Sequence, residues 1–420
     1  MHRSRAVVIG GGIGGLTAAV ALHQRGWAVT VLERAPALSP VGAAIGLMPN
    51  AQRALDTVGL GDRVRDLSAW QGAGGLRTPG GRWLNRMDGQ AAAERFGGPL
   101  VLLHRATLVG ILGDALPDGV VRTGVAATLA DPGSGPGADP GSDLRSDPRP
   151  GRRTAVVDTS EGALEAELVV AADGIHSAAR RALFPGHPGP AYAGYTTWRV
   201  VVPPPGAPFA PHETWGRGRL WGTQPLKDGR VYAYAMALGP AGGHAPDDER
   251  AELRRLFGDW HDPVPRIIEA AAPEGVLRHD VHEMRVPLPA YHRGRAALLG
   301  DAAHAMQPTL AQGGNQAIED AVVLAHHAGP GTGAPAGSGP DLAAYTADRL
   351  PRTTAIVRRA HRTGRLPGID GRVTAALRDH LVAGVSRLVP GLVLRNFDSI
   401  ADWSPPARTY ASGTPHEHRG

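Results

Sequence analysis

The 420-residue chain contains no cysteine. That excludes disulfides, thiolate metal sites, a redox-active Cys-x-x-Cys pair and a cofactor tethered through cysteine. Lysine is nearly missing as well, with Lys227 the single one among 44 basic residues. The arginines are scattered, without a dense run or interleaved aromatics, so the net charge of +5 does not mark a nucleic-acid-binding face. It suits a solvated surface with mild attraction for anionic nucleotides. No run of about 18 apolar residues occurs, which removes a transmembrane helix. A strand begins almost at the N-terminus and leaves no room for a signal peptide, so the cytoplasm is the expected compartment. Aromatic residues make up only 5% of the chain, and most of its Trp and Tyr fall in the middle.

What is present starts with RAVVIGGGIGGLTAAVAL. The β-branched run Arg5–Ile9 predicts a buried parallel strand. Gly10, Gly12 and Gly15 follow in G-x-G-x-x-G spacing. The first glycine permits the tight turn, the second lets a pyrophosphate approach the backbone, and the third lets helix and strand pack closely. A helix over about Ile13 to Gln24 aims its free N–H groups at that pyrophosphate, and Gly26 fits its C-terminal cap. The next strand, Ala28 to Leu32, ends at Glu33, whose carboxylate accepts ribose hydroxyls and repels a 2′-phosphate. The ribose is therefore that of FAD or NAD. Arg34 reads either as a phosphate partner or as a solvated charge over the adenine edge.

Two further motifs place an acid after an apolar run: LVVAADGIHSAAR with Asp173, and AALLGDAAHAMQPTLAQGGNQAIEDA with Asp301. Ligands bind at such strand ends in open α/β sheets. After Asp301 come Pro308, Gly313, Gly314 and Asn315, opening a helix of about Asn315 to His327 whose N-terminus favours negative charge. The three motifs together, in this order, point to an FAD-dependent oxygenase.

Between about Tyr192 and Arg285 the chain turns strand-like, with Trp, Tyr and Val enriched and a turn at Asp228–Gly229. A twisted antiparallel sheet covering a flavin ring is expected. Alternation puts Leu220, Gly222 and Gln224 on one face of a strand, and Tyr232, Tyr234 and Met236 on one face of the next. These residues are the expected substrate pocket. Two segments, 131–153 and 329–340, are rich in Gly and Pro and read as a hairpin extension and a loop. The tail from about Ser404 reads as disordered.

The sequence resembles the single-component FAD monooxygenases that hydroxylate aromatic compounds, in the branch with salicylate, hydroxybenzoate and urate hydroxylases and zeaxanthin epoxidase. The similarity covers about Arg5 to Arg365. It implies that Gly10, Gly12, Gly15 and Glu33 bind the ADP part of FAD; Gly14, Arg34 and Val125 belong to the expected cofactor-binding set as well. Ala44, in the segment Gly42 to Leu55, and Arg105 lie on the flavin side. Asp173 serves both FAD and NAD(P)H, Asp301 holds the ribityl or pyrophosphate portion, and Pro308, Gly313, Gly314 and Asn315 line the ring. Reduced flavin would react with O2 to a C4a-hydroperoxide that transfers one oxygen. The branch often has Gly where this chain has Ala44, and a Gly-Gln-Gly loop where it has Ala311, Gln312 and Gly313.

Such chemistry needs a dry pocket and a group that activates a phenol. His304, Arg199, Gln224 and Tyr234 are the catalytic candidates, with Tyr195 and Tyr232 behind them. His304 reads equally as a structural histidine, and Arg199 as the partner of an internal acid. The expected architecture is an α/β protein. A Rossmann-type FAD-binding domain in two parts, residues 1–185 and 291–370, carries an inserted antiparallel β-sheet substrate domain, residues 186–290, and a C-terminal helical region, 371–420. Expected partners are NADH or NADPH, O2 and a small aromatic or isoprenoid substrate, in a monomer or homodimer with no metal. Epoxidation of an isoprenoid or polyene, and a non-oxygenating FAD oxidoreductase, remain as alternatives.

Overall fold

The computed structural model describes residues 3–38, 43–69, 73–134, 154–204, 206, 209–331, 339–388 and 397–406. Its first sheet has six strands in the spatial order His292–Arg293, Ala296–Leu298, Leu168–Ala171, Arg5–Ile9, Ala28–Glu33, Val121–Thr123. All pairings are parallel except that of the first two. The strands are short and almost wholly buried, as expected for a parallel sheet covered on both faces. One feature of the register organises the molecule. Leu32, Ile9, Ala171 and Leu298 stand in a single cross-strand row. Each is followed within three residues by a motif residue: Glu33, Gly10, Asp173 and Asp301. Motifs separated by up to about 290 residues therefore open on one edge of the sheet.

The glycines behave as their spacing requires. Gly10 has φ +106°, and Gly15 lies so close to the Gly10 carbonyl that a Cβ would stand 2.0 Å from its oxygen. A Cβ on Gly12 would meet nothing within 4 Å, because that side faces open space. The helix runs Ile13–Gln24, with Gly26 at φ +85° just beyond its end.

The second sheet has seven strands in the order Leu277–Glu283, Ala191–Val202, Val231–Leu238, Arg219–Pro225, His212–Trp215, Ala73–Arg77, Trp83–Asp88. It does not respect the expected boundary at residue 185. Ala73–Arg77 and Trp83–Asp88 come from inside the first segment, and His212–Trp215 pairs with Ala73–Arg77 in parallel. The sequence AGGLR lacks the β-branched residues that announce a strand, so its pairing is decided by the sheet edge it completes. On the outer face Trp198, Val200, Val202 and Trp221 pack under the helices Glu249–Phe257 and Val264–Ala270. The inner face keeps Tyr195, Thr197, Arg199, Tyr232 and Tyr234. Strands Ala127–Asp131 and Ala155–Thr159 form the expected hairpin, while 135–153 lies outside the described residues. So do Gly42, 332–338 and the tail from 407.

A buried charge network ties this frame together. Asp320, on the helix Gly313–Ala328, accepts the Gly300 N–H at 3.0 Å, His304 Nε2 at 2.6 Å and Arg349 Nε at 2.7 Å. Arg349, from the helix Leu342–Gly364, also reaches Glu319 and Gln316, each at 2.7 Å. Glu319 in turn accepts from Asn50 at 2.6 Å. His304, Glu319, Asp320 and Arg349 are each at most 1% exposed. Burial by itself raises the Asp320 carboxyl, but His304, Arg349 and the Gly300 N–H outweigh it and hold it at about 2.

Asp320→Asn removes one partner from a buried cluster and should cost about 3–5 kcal/mol in urea unfolding. Because the folded-state pKa is depressed, the carboxylate's contribution is present above the usual range. It fades as the pH falls from about 4 to about 2. The Tm gap between wild type and variant should be constant above about pH 5 and narrow below about pH 4. A gap that does not change with pH would show that the charge is not what stabilises the cluster.

Candidate active site

The aligned strand ends open into a single cavity of about 1710 Å³, which continues onto the inner face of the antiparallel sheet. A small-ligand pocket is about 300–1,000 Å³, so the space suits a dinucleotide together with a second molecule. Its walls include Gly12, Gly14, Gly15, Ala44, Arg105, Asp301, Pro308, Gly313 and Gly314 from the expected cofactor set. They also include Arg199, Leu220, Gln224, Tyr232 and Tyr234 from the expected substrate set. The two sets, drawn from different sheets, thus share one enclosure.

The residue types present fit FAD. Gly12 leaves an open approach at a helix N-terminus, where a diphosphate is held by backbone N–H groups. Asp173 accepts the Ala179 N–H through Oδ2 at 3.1 Å, while its Oδ1 is buried without a partner and is ready for a hydroxyl. Glu33 lies beside the glycine turn, accepting the N–H groups of Gly11 at 2.7 Å and Ala35 at 2.8 Å. Val125 donates its N–H to the Glu33 carbonyl at 2.9 Å, and Arg34 is exposed next to it. Gly10, Glu33, Arg34, Val125 and Asp173 do not line the cavity.

Three expected residues do other work. His304 does not line the cavity: it is 1% exposed and donates to Asp320, so it is a strut of the charge network rather than a base facing a substrate. Asn315 spends its side chain on the frame, accepting from Met48 N at 2.8 Å and donating to Gly46 O at 2.8 Å. It fixes the strand Ala44–Leu47 against the helix that follows Gly313. Gly222 contributes an absence. A Cβ there would stand 2.1 Å from the Tyr234 ring, which lies across it.

The sheet register explains this last arrangement. Glu213, Gly222, Tyr234, Arg199 and Leu277 form one row across five strands. Gly222 lets the Tyr234 ring fold toward Glu213, and its hydroxyl donates to Glu213 Oε1 at 2.6 Å. Trp215 Nε1 donates to the other oxygen at 3.0 Å. Burial first, then the Glu213 charge, pushes the Tyr234 phenol well above its usual range, so it stays a neutral donor. Glu213 was not anticipated from the sequence, although an acid at an inward strand position opposite a glycine was the available signal.

At the other end of the row the wall is cationic. Arg199 and Arg105 line the cavity with His279, whose pKa is lowered by burial and then by Arg199 and Arg105. Tyr195 is oriented from behind. Glu283, fully buried and paired with Arg285, accepts the Gln307 amide N–H at 3.0 Å, which turns Gln307 Oε1 toward Tyr195. The Tyr195 hydroxyl donates to that oxygen at 3.1 Å and so presents lone pairs to the cavity it lines. Gln307 and Glu283 were also not anticipated, because nothing in their local spacing shows that they back a tyrosine about 110 residues away.

The chain matches the FAD binding domain family over residues 3–103 and 147–360. It is 35% identical over 382 residues to aurachin C monooxygenase/isomerase of Stigmatella aurantiaca, covering 90% of this chain and 94% of that protein. It is 34% identical over 375 residues to 3-amino-4-hydroxybenzoate 2-monooxygenase of Streptomyces cremeus, covering 85% and 86%. The crystal structure of Klebsiella pneumoniae HpxO complexed with FAD and uric acid superimposes with a TM-score of 0.77 at 28% identity, covering 94% of this chain and 97% of that one. With these matches beside its G-x-G-x-x-G turn, its aspartates after aligned strand ends and its roofed cavity, the chain belongs to the FAD binding domain family of flavoprotein monooxygenases.

Proposed function

We propose that the protein is an FAD-dependent monooxygenase that uses NADH or NADPH and O2 to hydroxylate a small aromatic or heteroaromatic molecule. The observation that carries this reading is the single cavity joining the FAD-type strand ends to a wall bearing Arg199, Tyr195 and Tyr234. Relatives acting on an aminohydroxybenzoate and on urate support the substrate class. FAD, when bound, supplies the acceptor for nicotinamide electrons and the activation of O2.

The chain's own residues then have three tasks. Gly12, Gly14, Gly15, Asp301, Gly313 and Gly314 offer backbone and carboxylate partners to the cofactor, and Glu33 and Asp173 stand ready for its hydroxyls. The walls of the antiparallel sheet exclude water from the reacting atoms. Arg199 supplies a fixed positive charge that stabilises an ionised phenol or a carboxylate, while Tyr195 accepts from a donor group on the same ring. With one dinucleotide-type strand–turn–helix taken by FAD, the nicotinamide docks transiently.

The deciding experiment is turnover of the FAD-loaded protein under labelled O2 with 3-hydroxybenzoate, 3-amino-4-hydroxybenzoate and urate as first probes. Stimulated NAD(P)H oxidation with label in the product supports the reading. FAD reduction by NAD(P)H without label in any product, across a broad aromatic panel, points instead to a non-oxygenating oxidoreductase.

Three substitutions separate cofactor binding, substrate binding and coupling. Gly12→Val fills the open side of the turn and should give a folded but colourless protein, read from the FAD absorbance of the purified sample. Arg199→Ala should retain its FAD and raise KM for an anionic substrate by about 10- to 100-fold, the loss of one charge-assisted hydrogen bond of about 1.5–3 kcal/mol. Retention of wild-type KM in that variant would move the anion site elsewhere. Tyr234→Phe leaves Glu213 with one donor fewer and should release more hydrogen peroxide per NAD(P)H oxidised, measured by a peroxide assay with FAD content as the control.

A further inference from the structure

Large apolar side chains exposed to solvent are few among the described residues, and most of them sit in one place. Leu366, Val373, Leu377, Leu381, Val385 and Leu388 belong to the helix Arg372–Leu388 and the turn before it. Val373 is 79% exposed, Leu377 and Leu381 are 58% each, and Leu388 is 83%. At about 100° per residue the five on the helix fall within an arc of about 120°.

This arc is not the face that holds the helix to the protein. The opposite side carries Ala375, Val382 and Ala383, of which Val382 and Ala383 pack on Leu76 and Leu84 of the antiparallel sheet. Arg378, buried at the border between the two sides, anchors the helix by donating to Gly216 O at 3.0 Å and Leu366 O at 3.1 Å. The helix thus has two apolar faces, only one of which the fold uses. Water is a poor partner for the other.

Charge tells which partner suits it. Exposed Arg387 borders the stripe, exposed Arg372 opens the helix, and exposed Arg362 and Arg365 stand before it. The acids nearby are Asp379, paired with Arg378, and the exposed Asp370. An apolar arc edged by long cationic side chains, which carry their charge on apolar stems, has the make-up of a helix that lies in a lipid–water interface. Leu366, Leu381 and Val385 also line the cavity, so the stripe reaches its mouth.

We propose that this helix docks the protein on an anionic lipid bilayer, without crossing it, and holds the cavity mouth against the acyl region. The docking stands on its own. Only its corollary, that the aromatic substrate is lipid-soluble and enters from the bilayer, rests on the monooxygenase reading.

The test is co-sedimentation of the FAD-loaded protein with phosphatidylcholine vesicles, with and without about 30% phosphatidylglycerol. Binding is expected to the anionic vesicles, to weaken with salt, and to fall at least about tenfold in Val373→Glu/Leu377→Glu, neither of which lines the cavity. The substituted positions are exposed, and unchanged FAD content confirms the fold. A protein that stays in solution with both vesicle types overturns the proposal, as does undiminished binding by the double variant. Sedimentation velocity covers the competing occupant. A wild-type dimer that the same double variant dissociates would assign the stripe to a second copy of the chain instead. Failure of the oxygen-labelling experiment, by contrast, leaves vesicle binding untouched.

Discussion

Everything at the site hangs on a carboxylate that never touches it. Asp320 holds the Gly300 N–H, and Gly300 immediately precedes Asp301 at the cavity wall. The same carboxylate accepts from His304 and Arg349, so the third motif, the helix after Gly313 and the long helix Leu342–Gly364 share one buried anchor. In a dry core each charge of such a cluster requires its partner, since a charge left alone bears an uncompensated desolvation cost. That requirement makes the geometry specific. Moving the Gly300 turn means breaking a hydrogen bond to a buried carboxylate in low dielectric.

The second constraint is register. Parallel pairing of Ile9 with Ala171 and of Ala171 with Leu298 delivers three motif loops to one edge. Antiparallel pairing aligns Glu213, Gly222, Tyr234 and Arg199 in one row of the facing wall. A slip of one residue in either sheet would turn the functional side chains to the opposite face. The wall that results is bipolar, with a carboxylate and its phenol donor at one end and guanidinium groups at the other. Gly222 matters by what it omits, since the ring of Tyr234 occupies the space a side chain would take. Tyr195 is tuned from behind by Gln307 and Glu283, which settle the direction of its hydrogen bond without reaching the cavity as a donor pair.

Much of the cofactor half was legible in the sequence because its signals are local. A β-branched run, three glycines at fixed spacing, a helix and an acid about 20 residues on are consecutive in the chain, and each has one physical reading. The strand alternation that groups Leu220, Gly222 and Gln224 with Tyr232, Tyr234 and Met236 is equally local, and the register pairs them as expected. The failures have a common cause. His304 sits within the third motif, beside residues that line the cavity, yet its ring is spent on buried Asp320, and only packing shows this. The strand Ala73–Arg77 carries no strand propensity of its own and forms because the sheet edge at His212–Trp215 is there to receive it.

By itself the sequence determined the kind of cofactor turn, the strand-rich middle and the absence of thiol chemistry, since each follows from residues adjacent in the chain or missing from it. Only the tertiary structure decided which of those residues face the cavity. Pairing register, burial and the orientation of hydrogen bonds depend on residues far apart in sequence, and no local pattern encodes them. The same division explains the helix Arg372–Leu388. Its apolar spacing is written in the sequence, but a stripe becomes an outer surface only once the opposite face has been buried against Leu76 and Leu84.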